Sequence, residues 1–186
     1  MSFSLFGKKE HNENESFFID RTFISSSAKM NACILLAKQE PQTIFICWFP
    51  DTLKIFKTAF QQASLIDDRI IDAKNVSSGM LANKTPVFTE HYPLQAKELA
   101  LIEHWNRQQI LVYSAMDEAL FLHFGSEKML PLIKLLGMKE NEVIEHPFVT
   151  KSIIKGQHKI AEQVLVELPA NSPSEWMERN IQTLNG

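Results

Sequence analysis

A lysine and a threonine close the segment Ser78-Gly79-Met80-Leu81-Ala82-Asn83-Lys84-Thr85, as they close a phosphate-binding loop of the form GxxxxGK[ST]. In such a loop the glycines let backbone N–H groups converge on phosphate at a helix N-terminus. Here Ser78 and Asn83 stand where both defining glycines belong, and Pro86 and the strand-like Val87-Phe88-Thr89 follow instead of a helix. A plain surface loop is expected. Glu-His pairs such as Glu90-His91, Glu103-His104 and Glu145-His146 lack HExxH spacing, and Cys33 and Cys47 lack partners at zinc-ligand intervals. No metal or cofactor is expected. No G-x-S-x-G elbow is present, and neither cysteine lies among cations that would depress its pKa. Asp117-Glu118 could serve acid–base work at a strand-to-helix junction, but capping and the helix dipole account for both.

These residues must be positioned by elements, and the hydrophobic spacing supplies them. Ser25-Ser26-Ser27 can cap a helix with Met30, Cys33, Ile34 and Ala37 at i, i+3, i+4 and i+7, and Pro41 stops it. Thr43 to Phe49 is an uninterrupted β-branched and aromatic run, the pattern of a strand covered on both faces. Pro50-Asp51-Thr52 offers a cap to a helix striped by Leu53, Phe56, Phe60 and Ala63. Further strands are expected at 69–73, 86–90 and 109–113, with a helix between the last two carrying Leu94, Leu101, Ile102 and Trp105 inward. Asp117 can cap the helix that follows. Strands alternating with helices imply βαβ units, hence an α/β fold with a four-stranded, mainly parallel sheet and helices on both faces.

The character changes after Gly125. Ser126 to Leu136 has helical spacing, with Pro131 inside it and Gly137 placed to end it. Pro147 can open a helix bearing Val149, Ile153, Gly156 and Ile160 on one face, and Val164 to Leu168 has the composition of a strand. Ser172-Pro173-Ser174-Glu175 is a capping box for a last helix with Trp176, Met177 and Ile181. The expected organisation is a flexible tail over 1–19, an α/β domain over 20–124 and a helical appendage over 125–186.

With 186 residues, 45% hydrophobic and net charge −3, the chain can bury a core and is too apolar for disorder. A sequence pI near 6.1 argues against nucleic acid or an anionic membrane as partner. Two cysteines in apolar runs read as reduced core thiols, Cys47 buried among them. With no apolar stretch near the ~20 residues of a membrane span, a cytoplasmic location is expected.

The stretch Tyr113-Ser114-Ala115-Met116-Asp117-Glu118-Ala119-Leu120 resembles the segment that follows the last helicase motif of SecA, the preprotein translocase motor ATPase. The likeness continues through Phe124-Gly125-Ser126-Glu127-Lys128, Leu135-Leu136-Gly137-Met138 and Ile144-Glu145-His146-Pro147-Phe148-Val149-Thr150-Lys151-Ser152-Ile153. Upstream it is collinear: Ala28 to Ala32 resemble an entry helix, Thr43 to Trp48 a first strand, Ile71 to Lys74 a second, and Val87 to His91 the strand carrying Thr-Glu-Arg-His. The resemblance covers about residues 20 to 163. It implies a RecA/helicase-like second nucleotide-binding domain and the start of the SecA scaffold helix.

The departures from the family decide what the resemblance implies for activity. SecA's second domain carries a Gly-Arg-Gly-Thr-Asp loop and a Gln-Leu-Arg-Gly-Arg-Ser-Gly-Arg-Gln-Gly-Asp motif, whose arginines contact phosphate charge. The first is absent here, and only Arg107-Gln108 could be remnants of the second. The arginines of the chain are Arg21, Arg69, Arg107 and Arg179, none between residues 70 and 106. Guanidinium groups stabilise transferring phosphoryl charge by ~10³–10⁵ in rate. A degenerate, non-catalytic interaction module with a protein partner is therefore expected, its contact surface drawn from Phe148, Lys151, Trp176 and Met177. The alternative is a regulatory nucleotide or small-anion binder without hydrolysis. Ligands of parallel sheets lie at the strands' carboxyl ends, which here supply Trp48, Phe49, Asp72, Lys74, Glu90, His91, Ser114 and Asp117. That set is mixed to acidic, with one lysine, and suits a polyphosphate poorly.

Overall fold

The computed structural model describes residues 17–105, 109–135 and 137–181, so Lys8-Lys9, Arg107-Gln108 and most of the expected tail lie outside the described residues. The chain forms β1 (Phe18–Phe23), α1 (Ser26–Gln39), β2 (Thr43–Cys47), α2 (Pro50–Gln62), β3 (Ile70–Asp72), β4 (Thr85–Phe88), α3 (Gln95–Ile102) and β5 (Ile110–Ala115). Then come α4 (Ala119–His123), α5 (Ser126–Leu135), α6 (Pro147–Ala161) and α7 (Pro173–Asn180). The sheet is all-parallel and five-stranded, in the order β1-β5-β4-β2-β3. The fifth strand, β1, was not expected from the spacing, and its first two residues fall within the expected tail.

Each interior strand sends alternate residues to opposite layers, as the pleat requires. Phe45, Cys47, Val87 and Tyr113 pack against Cys33, Ala37, Phe56 and Phe60 of α1 and α2. Ile44, Ile46, Phe88, Ile110 and Val112 pack on the other face with Leu99, Leu101 and Trp105 of α3 and its exit, and with Leu81 of the loop before β4. Cys47 is buried. A third cluster at the strands' carboxyl end joins Phe49, Leu120 and Phe121 to Ile153, Ile160 and Trp176.

Local chemistry explains the boundaries. Ser25 caps α1 by accepting the N–H of Ala28, and Ser172 caps α7 by accepting the N–H of Glu175. Gly137 takes φ +87°, the left-handed conformation that favours glycine just past α5. The capping expected of Pro50-Asp51-Thr52 is corrected: Pro50 is the first residue of α2, and Phe49 precedes it without a side-chain cap. Asp117 does not cap α4. Its carboxylate instead accepts the N–H of Ser26 (2.8 Å) and its hydroxyl (2.7 Å), so it fastens the start of α1 to the end of β5. Val164 to Leu168 forms no strand: Leu165 is 96% and Val166 77% exposed, and none of the described strands pairs with them.

Trp176 is fully buried, with its indole N–H donated to Glu167 at 3.0 Å. Trp176→Ala is expected to cost about 3–5 kcal/mol in chemical denaturation. A loss under about 1 kcal/mol would mean that α7 is not part of the folded unit.

Candidate functional site

The chain leaves β2 outward to β3 and returns to β4 on the other side of β2, so the β2–β4 boundary is the topological switch point. At such a point the helix N-terminus beyond a strand's carboxyl end is where a phosphate is normally held. Here that place holds Glu90. Its carboxylate accepts the backbone N–H of Trp48 (3.1 Å) and the hydroxyl of Thr52 (2.7 Å) in the first turn of α2. Burial pushes its pKa up to about 7, against the opposing pull of Lys29.

Lys29 of α1 is itself buried. Its ammonium donates to the carboxylate of Glu118 and to the carbonyl of Thr89 (2.5 Å), and lies 5.6 Å from the centre of the Phe56 ring. Burial works against the lysine charge, but Glu118 and Glu90 outweigh it and hold its pKa above the ordinary value.

A second buried network begins one residue later. His91 lies between two carboxylates, with Nδ1 2.9 Å from Glu98 and Nε2 2.5 Å from Asp20 of β1. Burial opposes its protonation, yet Glu98 and Asp20 together raise its pKa to about 10, so it is an imidazolium at neutral pH. Burial likewise opposes the charge of Asp20, and the pairing with His91 outweighs it and lowers its pKa. Glu98 also accepts from the backbone N–H of Tyr92 (2.7 Å) and from the amide of Gln157 on α6 (2.9 Å).

Aromatic rings and the C-terminal segment cover these groups. Tyr92 stacks on Phe49 (5.4 Å between centres, 13° between planes), and Trp48 and Trp176 approach it at 5.2 and 6.0 Å. Its hydroxyl donates to Glu167, which also pairs with Lys97 at 3.2 Å. The N–H of Asp51 donates to the carbonyl of Asn171 at 3.0 Å, so residues 167–176 lie across the ends of β2 and β4.

The strand-end residues chosen from sequence do not form one open cleft. Glu90 and His91 are buried in different networks. Asp72 accepts the N–H of Lys74 (2.8 Å) in its own turn at the far edge of the sheet, while Lys74 is exposed. Asp117 is exposed at the end of β5, and the Ser114 hydroxyl is buried against Thr22 at 3.1 Å. Among the proposed contact residues, Phe148 and Lys151 are exposed and Met177 is half-buried. Trp176 is buried and is withdrawn from that surface: its packing on Tyr92 and Phe49 requires it inside. The sequence reading missed Lys29, Asp20, Glu98 and Gln157. A signal existed for Lys29, which shares the inward stripe of Cys33 and Ala37, and for Glu98, which sits between Leu94 and Leu101.

A five-stranded parallel sheet with helices on both faces is the architecture of a small RecA-like α/β domain. No protein-family model matches the chain. Curated proteins named protein translocase subunit SecA are similar to part of it. That of Acidithiobacillus ferrooxidans is 50% identical over 48 residues, 26% of this chain and 5% of that protein. That of Prosthecochloris aestuarii is 42% identical over 53 residues, 28% of this chain and 5% of its own length. That of Blochmanniella floridana is 44% identical over 48 residues, 26% and 6% respectively. The chain thus contains a SecA-like region, and the match spans 5–6% of those relatives. Among the described residues no cluster of three or more metal-ligating side chains occurs, and no helix is long and apolar enough to cross a membrane.

The buried groups set a pH dependence. Glu90 and His91 have pKa values raised by folding, so each contributes stability that is lost as pH rises, over windows ending near 7 and near 10. Asp20 has a lowered pKa and contributes stability lost only as pH falls below the carboxylate range. Stability should therefore peak at mildly acidic pH and decline steadily toward pH 10, with Glu90→Gln removing the part of the decline below pH 7. Guanidinium melts at intervals across this range check it; stability that rises from neutral to alkaline pH contradicts the charge assignment.

Proposed function

We propose that this chain is a non-catalytic, SecA-like interaction module connected with protein export. The observation that carries the proposal is the carboxylate of Glu90 at the N-terminus of α2. A phosphate arriving there would meet a covalently attached acid already bound to Trp48 and Thr52, under a cover of Tyr92 and Trp176. Two negative groups cannot share so small a buried site without one losing its charge. The loop ending in Lys84 supports the same reading. Its residues 78–81 form a 3₁₀ turn rather than a cradle at a helix start, and the Lys84 ammonium donates to the Gln42 side chain at 2.9 Å. Hydrolysis of ATP needs a phosphate cradle, a metal site, a positioned water and a cation over the γ-phosphate. The connection with export rests on the similarity to proteins named as translocase subunits, and the partner is a protein.

The purified chain should show no ATPase turnover above background, with or without Mg²⁺, in a phosphate-release assay at high protein concentration. Calorimetric titration with ATP, ADP and GTP should show no binding tighter than roughly millimolar. Turnover that survives repurification and disappears in Arg107→Ala or Lys84→Ala would overturn the proposal, and micromolar nucleotide binding would favour the regulatory alternative.

A further inference from the structure

The edge strand β1, the outer side of α3 and the first half of α6 enclose a cavity of about 590 Å³. The volume falls within the ~300–1,000 Å³ range of small-molecule sites. Most of its surface is apolar, with Phe17, Leu99 and Ile154 in the walls, and a few charged and polar side chains interrupt it. Asp20 is one of these. It is 4% exposed, and while its Oδ1 is turned to Nε2 of His91, its Oδ2 has no hydrogen-bond partner. The Thr150 hydroxyl, in the wall of the same cavity, is near enough to help lower the Asp20 pKa but lies outside hydrogen-bonding geometry to Oδ2. A buried carboxylate oxygen left without a donor calls for one.

The surrounding charges select the donor. One imidazolium, His91, is shared by two carboxylates, Asp20 and Glu98, so the buried group carries one net negative charge. Glu98 is fully engaged by His91, the N–H of Tyr92 and the amide of Gln157, which leaves the open valence at Asp20 Oδ2. Of the other titratable groups that line the cavity, Glu145 pairs with Arg21 at 2.7 Å, and Nε2 of His158 donates to Gln95 at 3.0 Å. His146 caps α6 by accepting the N–H of Phe148 at Nδ1 (3.1 Å), so its neutral ring presents Nε2–H as a donor. Lys151 is exposed and has no ion-pair partner among the described residues. The cavity thus offers an unused buried acceptor to a cation, and an ammonium beside the positive end of α6 to an anion.

We propose that this cavity binds a small zwitterion of the amino-acid type with an apolar side chain. Its ammonium donates to Asp20 Oδ2, its carboxylate faces Lys151 and the start of α6, and its side chain lies against Phe17, Leu99 and Ile154. A simple cation would be opposed by Lys151 and a simple anion by Asp20, whereas a molecule with both charges close together meets each with its opposite. The proposal goes beyond the interaction module: no wall of this cavity comes from α2, and binding here needs no protein partner.

The test is calorimetric titration of the full chain with L-leucine and L-phenylalanine, each compared with its amide and its N-acetyl derivative, at about pH 6.5, where the free amines are protonated. At least one of the two amino acids should bind with Kd below about 1 mM. Its N-acetyl derivative, which lacks the ammonium, and its amide, which lacks the carboxylate, should each bind at least about tenfold more weakly. Asp20→Asn should abolish binding, but it also loosens His91, so Lys151→Glu at an exposed position is the deciding variant. It should keep the native circular dichroism spectrum, weaken the amino acid about tenfold and make the amide the tighter ligand. Equal binding of amino acid and N-acetyl derivative, equal binding of amino acid and amide, or an order unchanged in Lys151→Glu would overturn the proposal. No binding of either amino acid up to about 10 mM would overturn it as well, leaving Oδ2 to a water or to the Thr150 hydroxyl.

Discussion

The carboxylate of Glu90 has to be stabilised inside the protein, and much of the carboxyl edge of the sheet is arranged around that requirement. A lone buried carboxylate costs several kcal/mol, and in practice takes up a proton unless donors and a counter-charge surround it. The N–H of Trp48, the hydroxyl of Thr52 and the positive end of α2 supply part of the compensation. Lys29 supplies the charge, but a buried lysine carries its own desolvation cost, which Glu118 and the Thr89 carbonyl offset. One acid at the end of β4 therefore ties down α2, α1 and the start of α4. Burial still outweighs this compensation and leaves the pKa of Glu90 raised.

Three consecutive residues divide the rest of the molecule between them. Glu90 engages α1 and α2. The imidazolium of His91 holds Asp20 of β1 and Glu98 of α3. Tyr92 takes its N–H to Glu98, its carbonyl to Gln157 of α6 and its hydroxyl to Glu167, and its ring lies against Phe49 and Trp176. The short segment after β4 is thus the point at which the sheet, its edge strand and the C-terminal helices meet. Such buried polar groups fix a unique arrangement more than they add stability, since a buried ion pair and a well-packed apolar replacement are often similar in energy.

This explains which parts of the fold could be read from sequence. Strand β2 has an uninterrupted β-branched and aromatic run because both its faces are covered, and α7 declares itself through Ser172 and Pro173. Strand β1 hides because its inward face reads Phe18, Asp20, Thr22, and an acid on a core face is intelligible only once His91 stands opposite. The role of Asp117 was illegible for a similar reason: it caps a helix 91 residues earlier in the chain, not the one beside it. Residues 164–168 misled in the opposite direction, since β-branched composition describes a strand only where a neighbour offers hydrogen bonds. At the site, residue types were visible and partners were not. Glu90 and His91 stood out as strand-end residues, but nothing local to them distinguishes an open cleft from a closed network.

A ligand at the switch point stabilises a parallel α/β domain only while it is bound, by an amount that follows its concentration. A carboxylate built into the chain is always present, so the same position becomes constant rather than conditional. The ends of β2 and β4 are held together through residues 90–92 of the chain itself, and on the non-catalytic reading proposed above no ligand release at α2 is needed. Rigid strand ends also fix the base on which α6 stands, through Gln157 and the Ile153 and Ile160 packing beneath Trp176.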